Sequence, residues 1–360
     1  MIPYLLIYTL FAILFLLQPN RNNKAFFVFV GIVAILMAGF RDMIGGFDVY
    51  IYGQAYEIDY RIMLLFSPFE MGYTLFSIAL GFINKNREFL FFIAALITIS
   101  TQLMSVYKQS DKPGVSMFIY FCKFYIFTFI YLRQGLAMSF MWLTIPLIME
   151  RKWIKYLLVS ALAFSFHKSS LIFILLPIIA RRKLPNALLI PGLLLSLIIF
   201  ATPLSVVFAQ YVALFSENEK LAVYSNKSGG VNIFYVIELM IFISIAFMFK
   251  KKFYQDAYTK LIFNGFILYI FTAIIGLSNA SFNRLTWYFF LFTILALTRI
   301  ISFIKDPNLR KVYTFFIFLY YTLVFLKLLF SFDDGDLMPY KTIFQDFNRN
   351  GDWEWMEYRK

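Results

Sequence analysis

Twelve apolar runs, each near the length that crosses a bilayer, set what this chain can become. They lie at about 2–17, 25–40, 88–107, 114–130, 134–149, 153–166, 169–180, 187–209, 232–250, 259–277, 284–304 and 312–330. A span needs ~20 predominantly apolar residues. A thirteenth run, 70–84, is shorter and opens with Glu70 and Gly72. Composition points the same way: 61% of residues are hydrophobic and 15% charged, against roughly 45–50% and about 25% in soluble domains. That excludes a water-soluble fold, a disordered chain, a coiled coil and a disulfide scaffold. The one cysteine, Cys122, sits in an apolar run and reads as a buried small hydrophobe. The N-terminus has no basic leader and no cleavage site, so it reads as a retained first helix.

A net charge of +13 raises the question of nucleic acid. The cations, however, fall in short clusters between apolar runs, not in one basic stripe, so no nucleic-acid partner is expected. No Walker loop, GxGxxG, CxxC, HExxH or EF-hand pattern occurs, and one histidine leaves no His-rich metal site. Neither a metal nor a cofactor is expected.

Orientation follows from Lys and Arg near the span ends. Arg151/Lys152/Lys155, Arg181/Arg182/Lys183, Lys250/Lys251/Lys252 and Lys305/Arg310/Lys311 share one side if the spans between them alternate. That side is the cytoplasm, and Lys108/Lys112 join it. Arg21 and Lys24 also read as cytoplasmic. The pattern closes only if 70–84 does not cross, so it is predicted to be a re-entrant or interfacial helix. The expected fold class is an all-α polytopic integral membrane protein with about 12 transmembrane helices and both ends outside. A single transmembrane domain covers 1–330, with outer loops at 41–87 and 210–231. An acidic, aromatic extracytoplasmic tail follows at 331–360 and carries Trp353 and Trp355. No internal repeat supports an inverted-repeat transporter.

Topology accounts for the cytoplasmic cations, so polar residues at the outer ends of spans carry more information. Four patches stand out. In the first, Arg41 ends a span, and Gly45-Gly46, Asp48, Tyr50 and Tyr52 follow; the glycine pair suits a small anion nest. The second is Tyr131-Leu132-Arg133-Gln134. As one helix 114–149 would run about 54 Å, against a core of about 30 Å, so the chain must turn near Arg133 and leave that arginine sunken. The third is Ser165-Phe166-His167-Lys168-Ser169-Ser170, a tight turn holding the only histidine. The fourth is Ser278 to Arg284, where Asn283 and Arg284 enter a span. Each also has a plain reading: an interfacial arginine in a tyrosine belt, a snorkelling arginine, a structural histidine, an ordinary loop. Together, three arginines, a histidine and an aspartate on one predicted membrane face suit a pyrophosphate, because the arginine fork binds phosphate oxygens bidentately.

These patches resemble a known family. Phe40, Arg41, Gly45, Asp48 and Tyr52 resemble the first signature of the EpsG family, and Glu70-Met71-Gly72-Tyr73 fits the same pattern. Leu132 to Ala137 is similar to its central motif, Phe166 to Ile172 to its histidine motif, and Asn283-Arg284 to its late arginine. The resemblance implies a bacterial membrane protein of exopolysaccharide or O-antigen synthesis, similar to Wzy polymerases, with a GT-C-like architecture. Such a polymerase is an inverting, metal-independent glycosyltransferase of the inner (cytoplasmic) membrane, with its active site facing the periplasm or exterior. It joins undecaprenyl-pyrophosphate-linked oligosaccharides, as donor and acceptor, and releases undecaprenyl pyrophosphate. A chain-length regulator and a flippase are the implied protein partners. The tail is a departure that matches none of these motifs.

On this reading Arg133 and Arg284 bind the pyrophosphate and Arg41 is a third clamp, with Gln134, Tyr52 and Asn283 on pyrophosphate or glycan. The base for the acceptor hydroxyl is His167 or Asp48, with His167 slightly preferred. The rival classes are an O-antigen ligase with the same donor, a flippase or exporter, a membrane acyltransferase and a non-enzymatic scaffold. A flippase would show polar residues at mid-depth in both halves of its cavity, whereas these motifs gather toward one face.

Overall fold

The computed structural model describes residues 1–19, 23–202, 204, 231–277, 280–331 and 337–345. Every regular element among them is a helix, and the only strand-like pairing there is a single bridge between Arg41 and Thr342. Among the described residues six helices are long and apolar enough to cross a membrane: Arg87–Gln109, Leu132–Met149, Ile233–Phe253, Ala257–Ile275, Phe282–Phe303 and Pro307–Phe330. Shorter apolar helices cover Ile2–Leu17, Lys24–Gly39, Met71–Gly81, Trp153–Phe166, Lys168–Ile179 and Asn186–Ala201. The protein is thus an all-helical, multi-pass membrane protein. Its chain forms two compact units. One comprises 1–144, 154–168 and 301–360; the other comprises 145–153 and 169–300.

Arg87–Gln109 is the hub of the first unit and packs against Lys24–Gly39, Pro113–Tyr120 and Leu132–Leu143. Its buried residues recur at helical spacing: Leu90, Phe91, Ala94, Ala95, Thr98, Gln102 and Leu103. Gln102 is polar and fully buried, yet satisfied. Its amide donates to the carbonyl of Gly135 at 3.2 Å and to Ser139 Oγ at 3.1 Å, and its oxygen accepts from Tyr120 at 2.7 Å. In lipid such bonds tie helices together where apolar contact offers little selectivity. They fix the helix that carries Arg133.

The run expected at 114–130 is not one regular helix. It is helical at Pro113–Tyr120, passes through a π turn at Phe121–Tyr125 and ends in Phe127–Ile130. The rings at the π turn are tightly engaged: Phe121 stacks on Phe11 at 4.5 Å, and the Tyr125 hydroxyl donates to the carbonyl of Ala34 at 2.7 Å. Such single-turn insertions are a recognised interruption of α-helices. The helix then breaks at Tyr131, with φ −100° and ψ 66°.

Met71–Gly81 has 11 residues, about 16 Å at helical rise, too short for a hydrocarbon core of about 30 Å. Its polarity is reversed relative to a soluble helix. Tyr73, Thr74 and Ser77 are buried, whereas Met71 and Leu75 are exposed.

Residues 337–345 form a strap on the first unit. The Asp42 N–H donates to the carbonyl of Lys341 at 3.0 Å, and the Ile343 N–H to that of Phe40 at 3.1 Å. The Tyr340 hydroxyl donates to the carbonyl of Met37 at 2.6 Å, and that of Tyr4 to Leu337 at 2.9 Å. The rest of the tail expected at 331–360 lies outside the described residues, apart from Ser331 itself, as do Arg21 and almost all of the expected loop 210–231.

The second unit is built on Ala257–Ile275, which packs against Ile233–Phe253 and Asn186–Ala201. Asp256 caps its N-terminus, accepting from the N–H groups of Tyr258 and Thr259 at 2.8 and 2.9 Å. Buried Asn264 donates to the carbonyls of Ile179 at 2.5 Å and Arg182 at 2.9 Å. Lys250 Nζ donates to Asn186 Oδ1 at 2.5 Å, and Arg181 donates to the carbonyl of Met149. These bonds join Arg181 to the end of Ile145–Met149 and Lys250 to the start of Asn186–Ala201.

Candidate functional site

Glu70 is positioned by a local turn. Ser67 Oγ accepts from the N–H of Phe69 at 3.2 Å and bonds Thr74 Oγ1 at 2.7 Å, which folds Ser67-Pro68-Phe69 back onto the next helix. Glu70 is the N-cap of Met71–Gly81, but its side chain does not cap that helix. The carboxylate turns inward. Gly72 makes this possible, because it sits directly on Ser165, where a Cβ would stand 2.7 Å from the carbonyl oxygen. Only glycine lets the start of one helix press on the end of the other this closely.

Arg133 comes from the first turn of Leu132–Leu143, just after the break at Tyr131. A cation at a helix N-terminus is disfavoured by the helix dipole, so it requires a counter-charge. Glu70 supplies it: Arg133 Nη1 donates to Glu70 Oε2. Arg133 Nε donates to the Tyr52 hydroxyl at 3.3 Å. The guanidinium lies 4.9 Å from the centre of the Phe69 ring and 5.7 Å from that of Tyr52, within cation–π range. Nη2 has no partner among the described residues.

His167 follows Trp153–Phe166 directly and precedes the 3-10 turn Lys168–Ile174. Phe166 wedges between Phe140 at 5.2 Å and Phe76 at 5.7 Å, which orients the helix end. Nδ1 of His167 lies 2.9 Å from Glu70 Oε1, and the N–H of Lys168 donates to that oxygen at 3.3 Å. Glu70 therefore joins Arg133 and His167 through its two oxygens. Burial pushes its carboxyl upward, but the His167 hydrogen bond and the Arg133 charge outweigh this and hold it at about 2. It is ionised at neutral pH. The side chains remain partly accessible, at 23% for Arg133, 12% for Glu70 and 25% for His167.

Tyr52, Arg133 and His167 thus come together, all within the first unit. Gln134 is buried beside Arg133 in the same helix. Asp48 lies one helical turn before Tyr52, half-buried in the first turn of Phe47–Glu57, and bonds to none of these groups.

Arg41 is placed differently from the expected clamp. It is fully buried. Its Nε donates to the carbonyl of Ile44 at 3.1 Å, Nη2 to that of Phe129 at 2.6 Å and Nη1 to that of Ala38. Ala38 and Phe129 end the helices Lys24–Gly39 and Phe127–Ile130, whose last carbonyls lack intrahelical partners. The fork is spent on them, and no face of it is left for a pyrophosphate. Gly45, at φ 136°, approaches the same Phe129 carbonyl, where a Cβ would stand at 2.9 Å. The glycine pair thus permits a close backbone approach; no anion nest is evident.

Asn283 and Arg284 belong to the second unit, in Ala280–Thr286, and both are half-buried. Asn283 packs against Gly276, where a Cβ would meet its Cα at 2.7 Å. Ser278 and Asn279 of the same patch lie outside the described residues.

The residue missed as a site member is Glu70. Its signal is a lone carboxylate at the start of an apolar helix, followed by the glycine that the close approach requires.

No curated protein and no solved structure matches the chain. The EpsG family matches residues 24–342, from the start of the second helix to the strap and across all four patches. The chain belongs to the EpsG family.

Proposed function

We propose that this membrane polymerase of polysaccharide biosynthesis joins undecaprenyl-pyrophosphate-linked oligosaccharide units at the outer face of the cytoplasmic membrane. The observation that carries this reading is the Arg133–Glu70–His167 cluster, partly accessible where the ends of three helices meet, in a chain of this family. About twelve crossings and a GT-C-like architecture belong to the same proposal.

In the reaction, the acceptor hydroxyl oxygen bonds to the anomeric carbon of the donor as the bond from that carbon to the pyrophosphate oxygen breaks. The anomeric centre inverts. The hydroxyl proton passes to His167, and undecaprenyl pyrophosphate leaves as an anion that needs no acid. The transition state is oxocarbenium-like, so charge stabilisation at the leaving group is the main requirement. Arg133 presents Nη2 to that anion while Glu70, Tyr52 and Phe69 hold the rest of its fork. Tyr52 and Gln134 flank it. His167 is preferred over Asp48 as base because it is hydrogen-bonded into the cluster and Asp48 is not. Asn283 and Arg284 enter through their motif, as further pyrophosphate or glycan ligands. No metal step is included.

The test is deletion of the gene, restoration with wild type, Arg133→Ala or Arg284→Ala, and separation of surface and lipid-linked glycans on a gel. Single units that reach the surface without a ladder support polymerisation, and neither arginine variant should restore the ladder. Polymer stranded on its lipid carrier would mean a ligase. Units confined to the cytoplasmic face would mean a flippase, and the assignments above would fall.

A further inference from the structure

The proposed base has two ring nitrogens, and the acceptor hydroxyl can give its proton only to the one that carries a lone pair. We infer that Glu70 is a positioning residue that fixes the proton of His167 on Nδ1, so that Nε2 carries the lone pair that accepts the hydroxyl proton. The inference rests on the polymerase reading and adds to it a role for a residue that reading leaves unassigned.

An ionised carboxylate only accepts. Glu70 Oε2 accepts from Arg133 Nη1, and Oε1 accepts from the N–H of Lys168. With no proton on either oxygen, the 2.9 Å contact to His167 Nδ1 requires that Nδ1 be the donor. Which nitrogen is protonated in an imidazole is set by what the other atoms around it accept. At Nδ1 that atom is Oε1 of a carboxylate whose other oxygen is held by an arginine.

The same carboxylate raises the proton affinity of the ring, since the imidazolium formed as the hydroxyl loses its proton sits against a negative charge. Titratable or charged groups that face the pair include Arg133, Tyr52, Tyr73 and Lys168. Arg133 opposes the effect of Glu70 on the ring's charge, but it also keeps Glu70 ionised and fixed. A carboxylate, an imidazole and an oriented lone pair form the arrangement that makes a histidine an effective base, and a histidine held in the wrong tautomer loses roughly 10⁴-fold in rate in the serine-protease case.

The chain has one histidine, so ¹⁵N-histidine labelling of the full-length protein, purified in nanodiscs without a polyhistidine tag, reports a single imidazole. The expected spectrum shows the Nδ1–H form in wild type. Glu70→Ala should release it to a mixture with the Nε2–H form, and Glu70→Asp should restore part of the order. In parallel, ladder synthesis is followed against pH in membrane vesicles from the deletion host, supplied with that host's own lipid-linked units. Glu70→Gln should lower the maximal rate by about 10²-fold, of the size of a lost general base, with little change in half-saturation. It should also move the acid limb to lower pH, because the ring then protonates less readily.

A wild-type Nε2–H spectrum would overturn the inference. So would Glu70 variants whose rate per folded molecule and pH limb match wild type while His167→Gln is inactive; Glu70 would then be a packing residue only. If His167→Gln itself keeps the wild-type profile, the assignment of the base fails, which is a separate result. The spectrum still decides the tautomer in that case.

Discussion

Gly72 presses on Ser165 so closely that a Cβ at position 72 would stand 2.7 Å from the Ser165 carbonyl oxygen and 2.8 Å from its carbon. The obstacle is backbone at the end of a helix, which cannot swing aside. Gly72→Ala should therefore part the two helix ends and carry Glu70 away from His167. The expected result is loss of the glycan ladder together with a lowered Tm in detergent. Gly81 ends the same helix with open space around it. Gly81→Ala should be neutral or stabilise by up to about 1 kcal/mol, as alanine does in a helix. Equal damage from both substitutions would show that the tight contact is not what matters.

Arg41 should behave as a folding residue. Removing it leaves three buried carbonyls without their donor, at about 1–3 kcal/mol each, in a setting where water cannot replace it. Arg41→Ala should fail to accumulate in the membrane. Arg41→Lys keeps the charge but not the fork, and should accumulate at a reduced level while retaining its rate per molecule. Quantitative blotting beside the ladder assay separates amount from rate. Full accumulation of Arg41→Ala with no ladder would return Arg41 to the pyrophosphate.

Glu70 sets a pH window. Its folded pKa is depressed to about 2, from an ordinary carboxyl value of 4.5. A depressed carboxyl contributes stability that is fully present above its unfolded pKa and is lost as pH falls through the folded one. The Tm difference between wild type and Glu70→Gln should not fade between neutral pH and about 5, where protonation of His167 beside the carboxylate can only add to it, and should shrink as pH falls from there toward about 2. A difference that already fades between pH 7 and 5 would mean that the carboxyl is not held down.

The sequence exposes some of this architecture and conceals the rest for physical reasons. Arginine or histidine between apolar runs is conspicuous because its burial demands a partner, so Arg133 and His167 are legible as candidates. The partner is not, because Glu70 lies 63 residues from Arg133 and 97 from His167. Arg41 is legible as unusual, yet an arginine at a span end reads the same whether it faces a phosphate or orphan carbonyls. The shortness of 70–84 is legible from the length of its apolar run, and the helix there, Met71–Gly81, has 11 residues. The π turn at Phe121–Tyr125 leaves no trace, since a run that is apolar on every face has no periodicity to disturb.

In the second unit Asn264 is the residue most exposed to test. It is fully buried and holds the carbonyls of Ile179 and Arg182, at the end of one helix and in the turn that follows. Asn264→Leu keeps the branched heavy-atom shape and removes these bonds, so it should destabilise by about 1–3 kcal/mol per unmet carbonyl. The check is thermal unfolding of the purified protein, with an expected fall in Tm. An unchanged Tm would mean that other donors reach those carbonyls.

The docking of the strap can be tested by proteolysis. Its backbone meets the Phe40–Asp42 turn through two bonds, from Asp42 to Lys341 and from Ile343 to Phe40. Proline has no N–H, so Ile343→Pro deletes the second bond and leaves the Phe40 carbonyl unmet. The Phe40 and Phe344 rings, 5.3 Å apart, and the Tyr4 and Tyr340 rings, 5.4 Å apart, remain to hold the segment. They should hold it less firmly. Lys341 then becomes the reporter, because a protease needs several extended residues and a docked strap denies them. Trypsin added to the outer side of sealed vesicles should cut at Lys341 faster in Ile343→Pro than in wild type. Tyr340→Phe, which loses the bond to Met37, should fall between the two. Equal cutting in all three would mean that these bonds do not hold the strap. Protection of all three from the outer side, with cutting only from the inner side, would place the strap and the turn it covers on the cytoplasmic face.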